Sequence, residues 1–429
     1  MSRPSQPSRR DFLRRTSVAA AGAALAGGLS IARSAHAQGS DQLKIALIGC
    51  GGRGKGAAIN CFETGANVKL IAVADAFSTK AQGSVDIIKT QLQKLKASKN
   101  VPGEMDVPSD RVFSGFDAYK QALAEGPDIV ILAAPPGFRP LHYAAAIGAG
   151  KHVFMEKPCC VDAPGFRSLL ETNQLADTKN LKVSVGLQRR HSKDYVNKVK
   201  EIQDGSLGKI NFFRAYWNGG PIWIRQRKPG QSEMEYQMSN WYHFVWLSGD
   251  HIVEQHVHNL DICNWVKGEH PVKANGMGSC HVRDNRGVGQ IYDNHFVEFT
   301  YKDGTKLYSQ CRQQPNTWSS VTQFVHGTNG VKELPTNGSD GYVMEHVHLL
   351  NAIRNNEKLN DGWHGATSSF TAVLGRMATY SGLEVKWDEA VTNGPDEMPV
   401  KCAFDAEPKA LPDKDGTYPV PVPGIYKPY

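Results

Sequence analysis

The chain has 429 residues, with 49 Lys and Arg against 42 Asp and Glu. Residues 1–37 hold Arg3, Arg9, Arg10, Arg14, Arg15 and Arg33 against Asp11 alone, which leaves 43 bases against 41 acids in the remainder. So small a surplus gives no charge-based reason to expect nucleic-acid or membrane-surface binding, and none is expected; the length suits two or three domains.

The first element is Ser8-Arg9-Arg10-Asp11-Phe12-Leu13, followed by an apolar stretch rich in Ala and Gly from Val18 to Ile31 and closed by Ala35-His36-Ala37. A charged head, a short apolar middle and a small-x-small ending describe an export signal over residues 1–37. The paired arginines ahead of Phe-Leu are similar to the twin-arginine version, which delivers folded proteins to the periplasm and makes the twin-arginine translocase a partner during export. The middle is short and broken by glycines, unlike a membrane anchor of about 20 strongly apolar residues. The eight cysteines include no CxxC pair, which argues against a zinc ribbon or a dense disulfide scaffold. Folding before export takes place in a reducing compartment, so mostly free thiols are expected.

Leu43 to Ile48 is a β-favouring run that leads straight into Gly49-Cys50-Gly51-Gly52-Arg53-Gly54, with a helical stretch from Lys55 to Glu63 behind it. This is GxGxxG in its required context of strand, tight turn and helix start, where backbone N–H groups meet a pyrophosphate. Val68 to Ala74 forms a second apolar strand ending in Asp75, about 25 residues beyond the first glycine and near the offset of a ribose-binding carboxylate. Asp75 predicts NAD in preference to NADP, with helix capping as its alternative role; Arg53 would soften that preference. A third run, Asp128 to Ala134, ends at Pro135-Pro136, and a fourth, His152 to Met155, ends at Glu156-Lys157-Pro158. Strands alternating with helices predict an α/β, Rossmann-like doubly wound parallel sheet whose ligands sit at the strand C-termini.

With Glu156-Lys157-Pro158 added to these motifs, the chain resembles the Gfo/Idh/MocA family, named for glucose–fructose oxidoreductase, inositol dehydrogenase and a rhizopine-catabolism protein. The likeness runs from Leu43 to Leu383 through the glycine loop, Ala149-Gly150-Lys151-His152-Val153, Val185-Gly186-Leu187-Gln188-Arg189-Arg190, Gly205-Ser206-Leu207-Gly208-Lys209-Ile210, His258-Asn259-Leu260-Asp261 and His326-Gly327-Thr328-Asn329-Gly330. It implies a second α+β domain with an open, mostly antiparallel sheet that carries substrate and builds a homo-oligomer contact. Lys209 to Trp217, Val272 to Val282, Gln290 to Tyr301, Lys306 to Cys311 and Val321 to His326 read as its strands, with Asp303-Gly304-Thr305 as a hairpin turn. The expected organisation is a signal over 1–37, an NAD-binding domain over 41–160, a substrate domain over 161–385, and a wrapping or loosely ordered arm over 386–429.

The resemblance places Lys157 beside the nicotinamide, where it would assist proton transfer from a secondary hydroxyl. Sugar-oxidising members of the family carry an Asp four residues before a His, both facing substrate. The matching positions here are Glu254 and His258, and the longer acid is a departure. His258 is expected as the acid/base, with Glu254 orienting it or gripping a neighbouring hydroxyl and His256 also touching substrate. Arg190 and the aromatic Trp241 or Tyr242 are further candidates for substrate contact. In an extended stretch residues 254, 256 and 258 would share one face, so with His251 they could bind metal; the family provides no metal there and none is expected, and His251 reads as structural. The leading function is an exported dehydrogenase that oxidises a hydroxyl of a sugar, polyol or glycoside with tightly bound NAD. The alternatives are a glycosidase that uses NAD transiently, through oxidation and elimination, and a non-catalytic sugar-binding accessory protein.

Overall fold

The structure is a computed structural model and describes residues 41–281, 287–335 and 338–429; the export segment lies outside them. Among the described residues fourteen strands form two sheets. The first contains β1 (Leu43–Ile48), β2 (Val68–Asp75), β3 (Glu104–Met105), β4 (Val112–Ser114), β5 (Ile129–Leu132), β6 (His152–Met155) and β7 (Val183–Val185). All of its pairings are parallel, in the order β3-β2-β1-β5-β6-β7 with β4 also on β2. β5 is buried at every position, and β1 and β2 at nearly every one, as strands covered on both faces must be. The order reverses direction between β1 and β5, which opens a crevice at their C-terminal ends.

One face of this sheet is covered by helices Gly52–Glu63 and Ser78–Lys99, whose Phe62, Ile88 and Leu92 join Leu43, Leu47 and Ile131 in one apolar cluster. Leu349 and Leu350, on helix Gly341–Arg354, complete that cluster from far along the chain. The opposite face carries helices Ala118–Ala124, Arg139–Gly148 and Ala163–Thr178. The expected boundary at residue 160 therefore falls short. Helix Ala163–Thr178 is the crossover to β7, and β7 pairs with β6 in the same sheet.

The second sheet runs β13 (Gly330–Glu333), β12 (Ser320–Gly327), β8 (Ile210–Gly219), β11 (Lys306–Gln313), β10 (Asn294–Thr300), β9 (Lys273–Ser279) and β14 (Val385–Lys386). Only β8 and β11 are parallel; the other pairs are antiparallel. Its buried face receives helices Val257–Lys267 and Gly362–Ser381, while Met277 and Phe296, cross-strand partners on the other face, stay exposed. Gly304, at φ +87°, turns the β10–β11 hairpin at the expected place. The tail begins with a short helix, Trp387–Asn393, whose Trp387 packs edge-on against Phe166 and Phe370. Among the described residues no disulfide forms, and no helix is long and apolar enough to cross a membrane.

Candidate active site

β1 delivers the chain into Gly49, which turns at φ +97° where a side-chain carbon would come within 2.2 Å of Ala134 N. Gly54 packs so closely under the turn that a Cβ would lie 1.8 Å from Gly49 O. At Gly51 and Gly52 the space a Cβ would take is open, and the helix beginning at Gly52 has no side-chain cap. Unpaired N–H groups facing an open crevice fit the pyrophosphate of a dinucleotide. The crevice has a volume of about 460 Å³ and continues past Asp75, Pro135, Glu156 and Lys157 to Glu254, His258 and Trp241.

Asp75 accepts hydrogen bonds from Cys50 N at 2.8 Å and Phe77 N at 2.9 Å, which fixes its carboxylate at the crevice edge. It does not cap the next helix, whose N-cap is Phe77. The placement fits ribose hydroxyls. Cys50 differs from expectation: its amide is taken by Asp75 and its thiol turns inward, where burial and then Asp75 push it up to about 12. Arg53 also turns away from Asp75. Its Nε donates to Glu156 Oε1 at 2.5 Å, and its guanidinium lies 4.8 Å from the Tyr342 ring centre. Glu156 is thereby occupied in anchoring Arg53 at the crevice floor.

Lys157 reaches across the crevice. Its Nζ donates to the Glu254 main-chain oxygen at 2.6 Å and to Glu254 Oε1 at 3.0 Å, and each side chain is 15% exposed. Glu254 thus holds Lys157 and makes no contact that orients His258, which corrects the first of its two expected roles; the second, a grip on a neighbouring hydroxyl of the substrate, is a separate matter. His258 stacks on Trp217, with ring centres 5.9 Å apart at 21°. Burial, then the charges of Lys157 and Arg189, hold its pKa well below the ordinary histidine value, so the imidazole is neutral.

Two candidates fall away from the crevice. His256 is fully buried, its Nε2 2.8 Å from Ser309 Oγ on β11 and its pKa pushed down to about 3, chiefly by burial. Arg190 is clamped by Asp261, with Nε and Nη2 contacts of 2.8–2.9 Å, and lies over Trp265. The reason is local backbone. Residues 251–258 are two short helices, His251–Glu254 and Val257–Lys267, instead of one extended run, so alternate side chains diverge. The four residues that an extended run could have offered to a metal separate for the same reason. His251 pairs with Asp250 at 2.8 Å in a buried network that includes His295 and the Tyr380 hydroxyl. Asp250, His251 and His295 do converge, yet the Asp250 carboxylate already accepts from His251, Tyr292 N and Tyr380. Tyr242 is buried behind the crevice on Gln313, while Trp241 stands at its wall.

Sequence reasoning missed Gln188, Trp217, Met238, Gln255 and Tyr342, all of which line the crevice. Gln188 follows β7 and was open to the rule that ligands gather at strand C-termini. Tyr342 lies on the distant helix Gly341–Arg354 and carried no such signal.

Residues 43–187 match the Gfo/Idh/MocA family, described as an oxidoreductase family with an NAD-binding Rossmann fold. The inositol 2-dehydrogenase/D-chiro-inositol 3-dehydrogenase of Lactiplantibacillus plantarum is 24% identical over 296 residues, 68% of this chain and 71% of that one. The scyllo-inositol 2-dehydrogenase (NADP(+)) of Bacillus subtilis is 29% identical over 168 residues, 39% of this chain and 44% of that one. The solved structure of scyllo-inositol dehydrogenase from Lactobacillus casei with NAD(H) and scyllo-inositol superposes with a TM-score of 0.62 at 19% identity, covering 80% of this chain and 99% of the other. From the glycine loop through Asp75 to the end of β7, residues 43–187 carry the NAD-binding Rossmann domain described for the Gfo/Idh/MocA oxidoreductase family.

Proposed function

We propose that the protein oxidises a secondary hydroxyl of a cyclic polyol or sugar. The observation that carries this reading is that Lys157 Nζ and the neutral imidazole of His258 line the same crevice as the glycine loop. Inositols, the substrates in the names of the relatives, are rings of such hydroxyls. Trp217 and Trp241 offer flat apolar faces to the C–H edges of a ring of this kind.

An ammonium has three N–H donors, and Glu254 takes two from Lys157. The third is left for the substrate oxygen, where it favours the developing alkoxide. His258, uncharged, accepts the hydroxyl proton as a general base. A dinucleotide held by Gly49, Gly51, Gly52 and Asp75 would supply the hydride acceptor for the carbinol carbon, so that the hydroxyl that gives its proton to His258 becomes a ketone. The test is to mix NAD-loaded protein with a panel of inositols, hexoses and glycosides and follow absorbance at the reduced-nicotinamide wavelength. If nothing in the panel reduces the bound cofactor, the reading fails. Release of an aryl leaving group without net reduction would point to the elimination-type glycosidase instead.

Two further parts of the reading rest on other features. Residues 1–37 act as a twin-arginine signal that takes the folded protein to the periplasm; replacing both Arg9 and Arg10 with Lys should strand it in the cytoplasm, and undiminished export overturns this. The exposed Met277 and Phe296 support a homo-oligomer built on the open face of the second sheet. Sedimentation of a Met277→Glu variant at the same mass as wild type overturns that.

A further inference from the structure

We propose that the segment 394–429 is a strap that locks the dinucleotide in its crevice, making NAD a resident of this protein that exchanges slowly. The inference rests on the reading that NAD occupies the crevice, and it assigns a role to a stretch in which no helix or strand forms.

The wall of the crevice at its Asp75 end is made by Phe77, after β2, and Phe116, after β4. The ring of Phe404 sits behind both, 5.3 Å from Phe77 and 4.9 Å from Phe116. A few residues earlier, Met398 lies against the turn after β5, so close that a Cβ on Gly137 would be 3.1 Å from its Sδ. The stretch 398–404 therefore touches the tips that follow three parallel strands, the edge along which a dinucleotide lies in this fold.

The rest of the strap is fastened to the second domain. Ser232 Oγ donates to Phe404 O at 2.8 Å, and Gln237 Nε2 to Ala410 O at 2.5 Å. Tyr418 is 2% exposed and its hydroxyl accepts from Arg227 at 2.9 Å. Glu397 faces Arg376 at 3.4 Å, and Gly424 N donates to Ser381 O at 2.8 Å. Phe77 and Phe116 can swing outward only by breaking their contacts with Phe404. The two domains can part at the adenosine end only by peeling the strap from one of them. Dissociation of a nucleotide must cross that opening, so the strap acts on the off-rate.

The experiment loads the full chain with NADH, chases with excess NAD, and follows loss of NADH fluorescence. Wild type should release over minutes or longer, and Phe404→Ala at least about tenfold faster. Amides of residues 398–406 in wild type should exchange hydrogen more slowly once NADH is bound, a measurement that stands even if the variant fails to fold. Equal release rates in the two proteins, release from wild type within a second, or unaltered hydrogen exchange would each overturn the strap while leaving the functional reading in place. Failure of NAD and NADH to bind at any concentration would overturn both.

Discussion

Substituting Glu254 and Lys157 singly and together asks whether the glutamate works through the lysine. Lys157 Nζ has two tethers on Glu254, the main-chain oxygen at 2.6 Å and Oε1 at 3.0 Å. Glu254→Gln keeps the first and weakens the second. A hydrogen bond between charged groups contributes about 1.5–3 kcal/mol, so turnover should fall about 10- to 100-fold. Lys157→Met removes the ammonium that the proposed mechanism sets against the substrate oxygen, and a proton-handling group of this kind is worth about 10²–10⁴ in rate, or about 3–5 kcal/mol. Because the geometry makes Glu254 act through Lys157, the double variant should be no slower than Lys157→Met, with a coupling energy equal to the whole Glu254→Gln effect. Stability gives a second readout. Removing one partner of a buried pair costs about 3–5 kcal/mol; here 15% of each side chain is exposed, so Lys157→Met should cost the lower figure and the double variant should regain part of it. Single-turnover reduction of bound NAD and urea melts of the four proteins supply the numbers. Additive rate losses would show that Glu254 meets substrate on its own account. Wild-type turnover in Lys157→Met would remove the lysine from the mechanism.

Gly54→Ala forces a carbon to within 1.8 Å of Gly49 O, so the helix must back away from the turn; nucleotide binding by calorimetry should be lost, and retained affinity would refute the packing argument. Asp75→Asn keeps an acceptor for Cys50 N and removes the charge that repels a 2′-phosphate, with Lys80 also lining that end. The NADP-to-NAD affinity ratio should rise about tenfold, or about 1.4 kcal/mol, and an unchanged ratio would clear Asp75 of that role. His142, His256 and His346 are pushed down to about 3 by burial, so the folded chain leaves them neutral where the unfolded chain, with histidines near 6.5, binds protons. Their contribution is intact above pH 6.5 and is lost as pH falls, by about 2 kcal/mol per histidine at pH 5. Urea midpoints that stay level between pH 6.5 and 5 would contradict it.

The readable part of this protein is what depends on neighbouring residues alone. A glycine turn needs its strand before it and its helix after it, and an acid at a strand terminus lands at the edge of the sheet wherever the strand lies. The turn glycines Gly49, Gly51, Gly52 and Gly54, and the positions of Asp75, Pro135 and Lys157 beyond their strands, were legible on those terms, as was the alternation that makes a parallel sheet. Side-chain direction beyond the strands was not. Whether Glu254, His256 and His258 share a face depends on a break between two short helices at Gln255 and His256. Arg190 was spent on Asp261, a partner 71 residues away. The tertiary structure alone decided which distant segments close the site. Helix Gly341–Arg354 brings Tyr342 to the crevice, and the aperiodic stretch behind Asn393 lays Phe404 against Phe77 and Phe116. Such contacts are set by the shape of the surface already folded, and no local period records them.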